Sequence, residues 1–174
     1  MAVSLRDARN QPEDRRWIES VYREYLDDLA PDASGVFPML AETGHSEPDQ
    51  LQRWFSDPRA ALLTILRAGR QVGFAMIARE GVRIDDQTNV RYRMAEFFVA
   101  RPMRRLGIGR SAVPLIFDRF AGHWQVSEHQ HNGAAVGFWR RVVAHYTGGR
   151  YEERIHNGEV HQTFVTGSAL RRAP

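Results

Sequence analysis

The stretch from Val99 to Ser111 reads Val-Ala-Arg-Pro-Met-Arg-Arg-Leu-Gly-Ile-Gly-Arg-Ser, an extended apolar segment that runs into an arginine- and glycine-rich turn at the start of a helical pattern. Gly107 and Gly109 lack Cβ atoms, so the chain turns tightly there and a ligand can approach the backbone amides. Gly107, Ile108, Gly109, Arg110 and Ser111 are placed to open a helix, where the first N–H groups have no intrahelical acceptor and the dipole favours an anion. Arg101, Arg104, Arg105 and Arg110 add guanidinium charge suited to phosphate oxygens. These residue types in this order suit a diphosphate. Taken alone, Arg104-x-x-Gly107-x-Gly109 also reads as a plain basic turn between strand and helix, so its surroundings must decide.

Two other phosphate loops are excluded. A P-loop needs a lysine after its last glycine, and all 24 basic residues here are arginine. A dinucleotide fingerprint needs a third glycine where Ala112 stands, and a second parallel strand ending in an acid about 20 residues on. Glu128 lies near that distance, but the segments around it do not make a βαβ unit.

The absence of cysteine removes disulfides, thiolate metal sites and a cysteine nucleophile, and the absence of lysine removes Schiff-base chemistry. The net charge is only +3, with basic residues scattered among 21 acids apart from the 101–110 cluster, which favours a small anionic ligand over nucleic acid. Arg6 and Asp7 interrupt the N-terminus before an apolar run can build, so the expectation is a cytoplasmic chain without signal peptide or membrane span. At 174 residues one domain, 1–174, can bury a sizeable core.

The elements that must position this turn follow from periodicity. Val3–Arg6 suits a short strand. Gln11–Leu29 carries Trp17, Ile18, Val21, Tyr22, Tyr25, Leu26 and Leu29 at helical steps, with Pro12, Glu13 and Asp14 fitting a first turn. Residues 31–48 form a turn-rich loop able to act as a lid, and 48–56 a short helix with Leu51, Trp54 and Phe55. Leu62–Leu66 and Val72–Ala78 read as a hairpin around Gly69, and Tyr92–Ala100 as a third strand running into the glycine turn. Ile108–Phe120 suits a helix with a kink at Pro114. Trp124–His129 reads as a strand and Asn132–Ala144 as an amphipathic helix. The last predicted element is a hairpin, Arg150–Ile155 with Val160–Val165, turning at Asn157-Gly158.

This order, with Val99, Arg104, Gly107 and Gly109 at their offsets and Asn132 and Ala135 at the next helix, resembles the GNAT superfamily of acyl-CoA-dependent N-acetyltransferases over nearly the whole chain. The resemblance implies an α/β (α+β) fold, a single GNAT-like domain with a mixed central sheet of about six to seven strands flanked by about four helices. It implies acetyl-CoA as acyl donor and an amine small molecule or peptide as acceptor, with a homodimer as one form of the chain. Phe98 and Val99 would offer backbone groups at a strand bulge to the pantetheine arm, the Val99 N–H serving the oxyanion. Arg104, Arg105, Leu106, Gly107, Ile108, Gly109, Arg110 and Ser111 would hold the pyrophosphate, and Asn132 would bond the pantetheine or line the cleft.

Acetyl transfer needs a neutral amine, a polarised carbonyl and a proton for the leaving thiolate. Glu96, on the same strand side as Phe98, stands where many relatives place a carboxylate base; the other reading is an exposed strand glutamate. Many relatives have a tyrosine seven residues after the helix asparagine, where this chain has Trp139, which cannot donate a proton as a phenol does. Tyr146 and His129 are the candidate acids, His131 a further one, each with a bland alternative as packing tyrosine or polar strand end. Ser127 and Glu128 add polar groups. His123, His129, His131 and Glu128 lack a matching ligand set for a metal. Phe37, Trp54 and Phe55 either border an acceptor pocket or belong to the core, and Asp32, Glu42 and Glu47 suit a cationic amine. The missing tyrosine leaves open a rival, a catalytically silent CoA-binding sensor or scaffold. A nucleic-acid-binding domain is the third reading, marked by steep salt dependence.

Overall fold

Alternating apolar and polar residues build one twisted sheet. The structure, a computed structural model, describes residues 2–29, 47–84 and 87–167. Strands β1 (Val3–Asp7), β2 (Ala61–Arg67), β3 (Arg70–Ile84), β4 (Gln87–Val99), β5 (His123–His129), β6 (Glu152–His156) and β7 (Glu159–Val165) join α1 (Pro12–Leu29), α2 (Glu47–Ser56), α3 (Ile108–Arg119) and α4 (Gly133–Thr147). The seven strands lie in the order β1-β2-β3-β4-β5-β7-β6. Every pairing is antiparallel except β4 with β5.

Side-chain alternation sends each strand's apolar residues to two separate cores. Ile18, Tyr22 and Tyr25 of α1 and Leu51 of α2 pack on Leu62, Phe74, Met76 and Phe98. On the opposite face Val113, Ile116 and Phe117 of α3 and Trp139, Val142 and Val143 of α4 pack on Ala75, Ile77, Tyr92, Met94, Trp124, Val126 and Phe164. Tyr92 and Met94 thus serve one core and Phe98 the other, although the three lie an even number of residues apart. A β-bulge reconciles them: Met76 pairs with Glu96 and Ile77 with Met94, leaving Ala95 as the extra residue. The bulge therefore stands at Ala95, not at Phe98–Val99 as the resemblance implied. Phe98 and Val99 are in regular register with Phe74 and Gly73.

Other departures have local causes. β3 and β4 run on well past the expected strand limits because their polar ends pair across the ribbon, Glu80 opposite Arg91 and Arg79 opposite Tyr92. α3 continues through Pro114, which leaves the Arg110 carbonyl without an i+4 donor. The Asn157-Gly158 turn is as read, with both residues at positive φ. Residues 31–46 of the expected lid, Asp32, Phe37 and Glu42 among them, lie outside the described residues.

Two charged side chains pin the helices to the sheet. Arg6 of β1 grips the wholly buried Asp14 of α1 through Nε and Nη2, and Gln71 of β3 donates to the same carboxylate. Burial works against ionisation of Asp14, but these hydrogen bonds outweigh it and hold the carboxyl below its ordinary range. The Arg9 guanidinium donates to the carbonyls of Trp54, Phe55, Asp57 and Ala60, gathering the end of α2 and the approach to β2.

The tightest backbone approach is at Gly73, where a Cβ would sit 2.3 Å from the Phe98 carbonyl oxygen. Because the obstruction is backbone in a paired strand, Gly73→Ala is expected to lower stability by about 1–3 kcal/mol, read as a reduced urea midpoint at unchanged slope.

Candidate active site

β4 and β5 are hydrogen-bonded only over Arg91–Met94 against His123–Val126. Beyond those residues the strands part, and the fork continues into a cleft of about 1250 Å³. Ala95, Phe97 and Val99 line it from β4, Ser127, Glu128 and His129 from β5, Gly107–Arg110 from the start of α3, and Asn132, Ala135, Phe138, Trp139, Arg141 and His145 from α4.

The ladder to β3 sets the direction of the β4 backbone groups. The Ala100 N–H donates to the Val72 carbonyl, so two residues back Phe98 also turns its N–H and C=O toward β3. Val99 lies between them and faces its backbone groups into the fork, where its carbonyl accepts a 2.7 Å bond from Arg104 Nε. Of the two expected backbone donors, only the Val99 N–H is therefore directed to the cleft. The Phe98 ring packs with Phe74 and Tyr25.

At the glycine turn, the N–H groups of Arg105, Leu106, Gly107, Ile108, Gly109 and Arg110 meet no acceptor among the described residues. The Ser111 N–H closes the first helical turn on the Gly107 carbonyl and is not available. Arg105 at φ 64° and Gly107 at φ 77° bring left-handed backbone into this run of unpaired amides, the kind of turn that builds anion-binding concavities. Gly109 lies against α4: a Cβ there would meet the Phe138 ring at 3.0 Å. Arg105 and Arg110 line the cleft with no ion pair among the described residues.

Arg104 and Arg101 behave otherwise. Both guanidiniums bind Asp28 of α1, and the Arg104 group lies over the Phe98 ring at 5.5 Å. Arg104 thus ties the turn to α1 and to Val99, so its charge is already engaged where the sequence suggested a phosphate ligand. Leu106 is 54% exposed and, with Ser111, contributes nothing to the cleft wall. Ile108 is buried under the turn.

Two glutamates are buried near the fork. Glu96 Oε1 accepts from Tyr22 Oη at 2.9 Å and Trp54 Nε1 at 3.0 Å, while Oε2 is buried without a partner. Burial pushes its carboxyl up to about 7, against the opposing pull of those bonds and of Arg93. Glu96 is not an exposed strand residue, but its neighbours Ala95 and Phe97 line the cleft and it does not. Glu128 does line the cleft, on the α4 face, where Gln162 Nε2 donates to Oε1 at 2.8 Å and Oε2 has no partner. Burial raises its carboxyl to about 7 as well.

The other expected residues divide. His129 reaches the cleft, with its Nδ1 3.3 Å from the His131 N–H. Asn132 lines it too, but its Oδ1 caps α4 by accepting from the Ala135 N–H. Trp139 is buried edge-on against Phe97. Tyr146 is not brought to the cleft; its hydroxyl donates to Asp118 at 2.7 Å and its ring packs on Phe117, clamping α4 to α3. Partial burial and, after it, that carboxylate raise the phenol well above its ordinary range, the opposite of what an acid for a thiolate needs. Trp54 serves Glu96, and Phe55 lies under Arg15.

Sequence reasoning undervalued Glu128 and missed His161, Gln125, Arg141 and His145. Gln125, Ser127 and His129 share one face of β5 by simple alternation, which was readable. His161 joins them only because β7 inserts between β5 and β6. Among the described residues no three His, Asp or Glu side chains converge as a metal-binding group, and no helix is long and apolar enough to cross a membrane.

The fold is shared by many solved structures. A GNAT-family acetyltransferase from Streptococcus agalactiae superposes with a TM-score of 0.64 at 13% identity, covering 95% of this chain and 96% of that one. NAA60 of Arabidopsis thaliana in complex with acetyl-CoA gives 0.62 at 12% identity, covering 94% and 98%. PaiA N-acetyltransferase from Thermoplasma acidophilum in complex with coenzyme A gives 0.61 at 11%, covering 95% and 99%. No curated protein matches the sequence. A family model described as acetyltransferase (GNAT) family matches residues 18–144, a span that takes in most of α1, the glycine turn, the fork and most of α4. On that match, and with the splayed strands and open amides just described, the chain belongs to the GNAT family of acetyltransferases.

Proposed function

We propose that the chain transfers an acetyl group from acetyl-CoA to a primary amine, the amine attacking the thioester directly at the fork. The observation that carries this reading is the row of unpaired amides from Arg105 to Arg110 at the mouth of a cleft that continues between β4 and β5. A pyrophosphate there meets helix-terminal N–H groups and the guanidiniums of Arg105 and Arg110. The pantetheine arm then runs between Val99 and Asn132, and the thioester carbonyl lies within reach of the Val99 N–H as an oxyanion donor.

An amine reaches the thioester from the α1 face, where Tyr25 and Arg93 line the cleft. Glu96 serves as proton acceptor through a water, since its Oε2 is left without a partner and its carboxyl titrates close to neutrality. Glu128, on the cofactor face, is the group suited to return a proton to the thiolate in place of the missing tyrosine. Two carboxyls poised near neutrality favour catalysis over a silent CoA-binding module.

A thermal-shift titration with acetyl-CoA, CoA and ATP tests the donor site. Both CoA species at a hundred times Kd should add roughly 2.7 kcal/mol, and ATP should not match them. Arg110→Ala should weaken CoA binding about tenfold or more. No shift with either CoA species overturns the assignment.

Glu96→Gln supplies the second test. Free peptides, polyamines and amino acids are screened by thiol release, and with the best acceptor the variant should lose about a hundredfold in turnover while its acetyl-CoA shift persists. Stability reports the same group independently. Because burial lifts the Glu96 carboxyl from 4.5 to about 7, the folded chain binds more protons than the unfolded one between those values. Wild type should therefore lose up to roughly 3 kcal/mol relative to Glu96→Gln as pH rises through that window, seen as a falling difference in Tm.

A further inference from the structure

On the side of the fork away from α4, Ser127, His161 and Glu159 all line the cleft. Ser127 Oγ lies 2.7 Å from His161 Nδ1, and Gln125 Nε2 lies 3.1 Å from Ser127 Oγ and 3.2 Å from His161 Nδ1. On the far side of the ring, His161 Nε2 is 3.5 Å from Glu159 Oε2. With the Gln125 NH2 turned toward the ring, the contacts fit one tautomer: Nδ1 accepts, shared between the Ser127 hydroxyl at 2.7 Å and the longer Gln125 contact at 3.2 Å, and the ring proton is assigned to Nε2, facing the carboxylate. A hydroxyl on an imidazole whose other nitrogen faces a carboxylate is the arrangement of an activated nucleophile, whatever fold carries it.

The position suits the role. Ser127 is the first residue of β5 beyond the last pairing of β4 with β5, Met94 with Val126, and so stands at the apex of the fork. Gln125, Ser127 and His161 are half-buried, open to a ligand in the cleft yet screened from bulk water. The proposed mechanism of amine transfer uses none of them.

We propose that, when no amine is bound, Ser127 takes the acetyl group from acetyl-CoA and the chain hydrolyses the thioester through an acetyl-serine. The Ser127 proton passes to His161 Nδ1 as Oγ bonds to the acyl carbon. The C–S bond breaks and the thiolate takes that proton, leaving as CoA thiol. Water then adds to the ester carbon, its proton passing to Nδ1; the C–Oγ bond breaks and the proton returns to Oγ. The sum is acetyl-CoA and water to acetic acid and CoA. Gln125 holds Oγ and Nδ1 in register, and Glu159 stabilises the imidazolium.

This inference rests on acetyl-CoA occupying the cleft, and the test separates the two. The protein is incubated with acetyl-CoA alone, quenched in acid, and its intact mass and peptides are measured. With no lysine or cysteine in the chain, those common acetyl acceptors do not compete. The expected result is one acetyl group on the peptide containing Ser127. Ser127→Ala should carry none and release CoA only at the background rate, and His161→Gln should slow release about a hundredfold. p-Nitrophenyl acetate, which needs no CoA site, should give a burst of nitrophenolate that Ser127→Ala abolishes. Failure of CoA to shift Tm would count against the donor site, and the nitrophenolate burst would then decide the serine by itself. An unmodified Ser127, with unchanged CoA release or no burst difference in Ser127→Ala, overturns the proposal.

Discussion

One additional residue in β4 governs how this sheet can carry a site. Without the bulge, with Ala95 in regular alternation, Glu96 and Phe98 would turn to the same face as Tyr92 and Met94, placing a carboxyl among the apolar side chains under α3 and α4. With it, the strand's first half supplies one core and its second half the other. The bulge comes directly after the last residue paired to β5, so the change of face and the parting of the strands occur together. The fork, the inward-facing Val99 amide and the seating of Glu96 between Tyr22 and Trp54 all depend on that coincidence.

Electrostatic demands are divided between neighbouring parts of the same turn. Arg101 and Arg104 bind Asp28, so two of the clustered guanidiniums are engaged with α1, while Arg105 and Arg110 are left to the cleft. Exposed pairs of this kind add little stability one at a time. Here the gain is geometric, because Arg104 also holds the Val99 carbonyl and thereby fixes strand, turn and helix relative to one another. Glu96 shows the opposite compromise: two hydrogen bonds reach one oxygen, burial isolates the other, and the carboxyl is left close to neutrality.

Much of this was legible in the chain because it is local. The glycine-arginine turn, the faces of α1 and α4 and the Asn157-Gly158 hairpin are encoded within a few residues of where they act. What escaped is non-local. Nothing near Arg104 announces that Asp28, 76 positions away, will take its charge. For Tyr146 the sequence leaves a candidate acid and a packing tyrosine side by side, and only the fold brings Asp118 of α3 to its hydroxyl. A bulge leaves little trace in a strand where apolar residues occupy both parities, and Ala95 is visible only once β3 supplies the register. His161 enters through strand order, which periodicity does not specify.

The cleft is walled by residues of both sheet faces, Phe138, Trp139 and Arg141 on one and Tyr25, Arg93 and His161 on the other. Among the described residues the sheet is thus a partition that opens where β4 and β5 part. On the proposed reading, a donor entering beneath α4 and an amine arriving from the α1 side meet across the opening between Ala95 and Ser127. The parting of the strands would then keep donor and acceptor on opposite faces of one sheet until their reacting atoms meet in the gap.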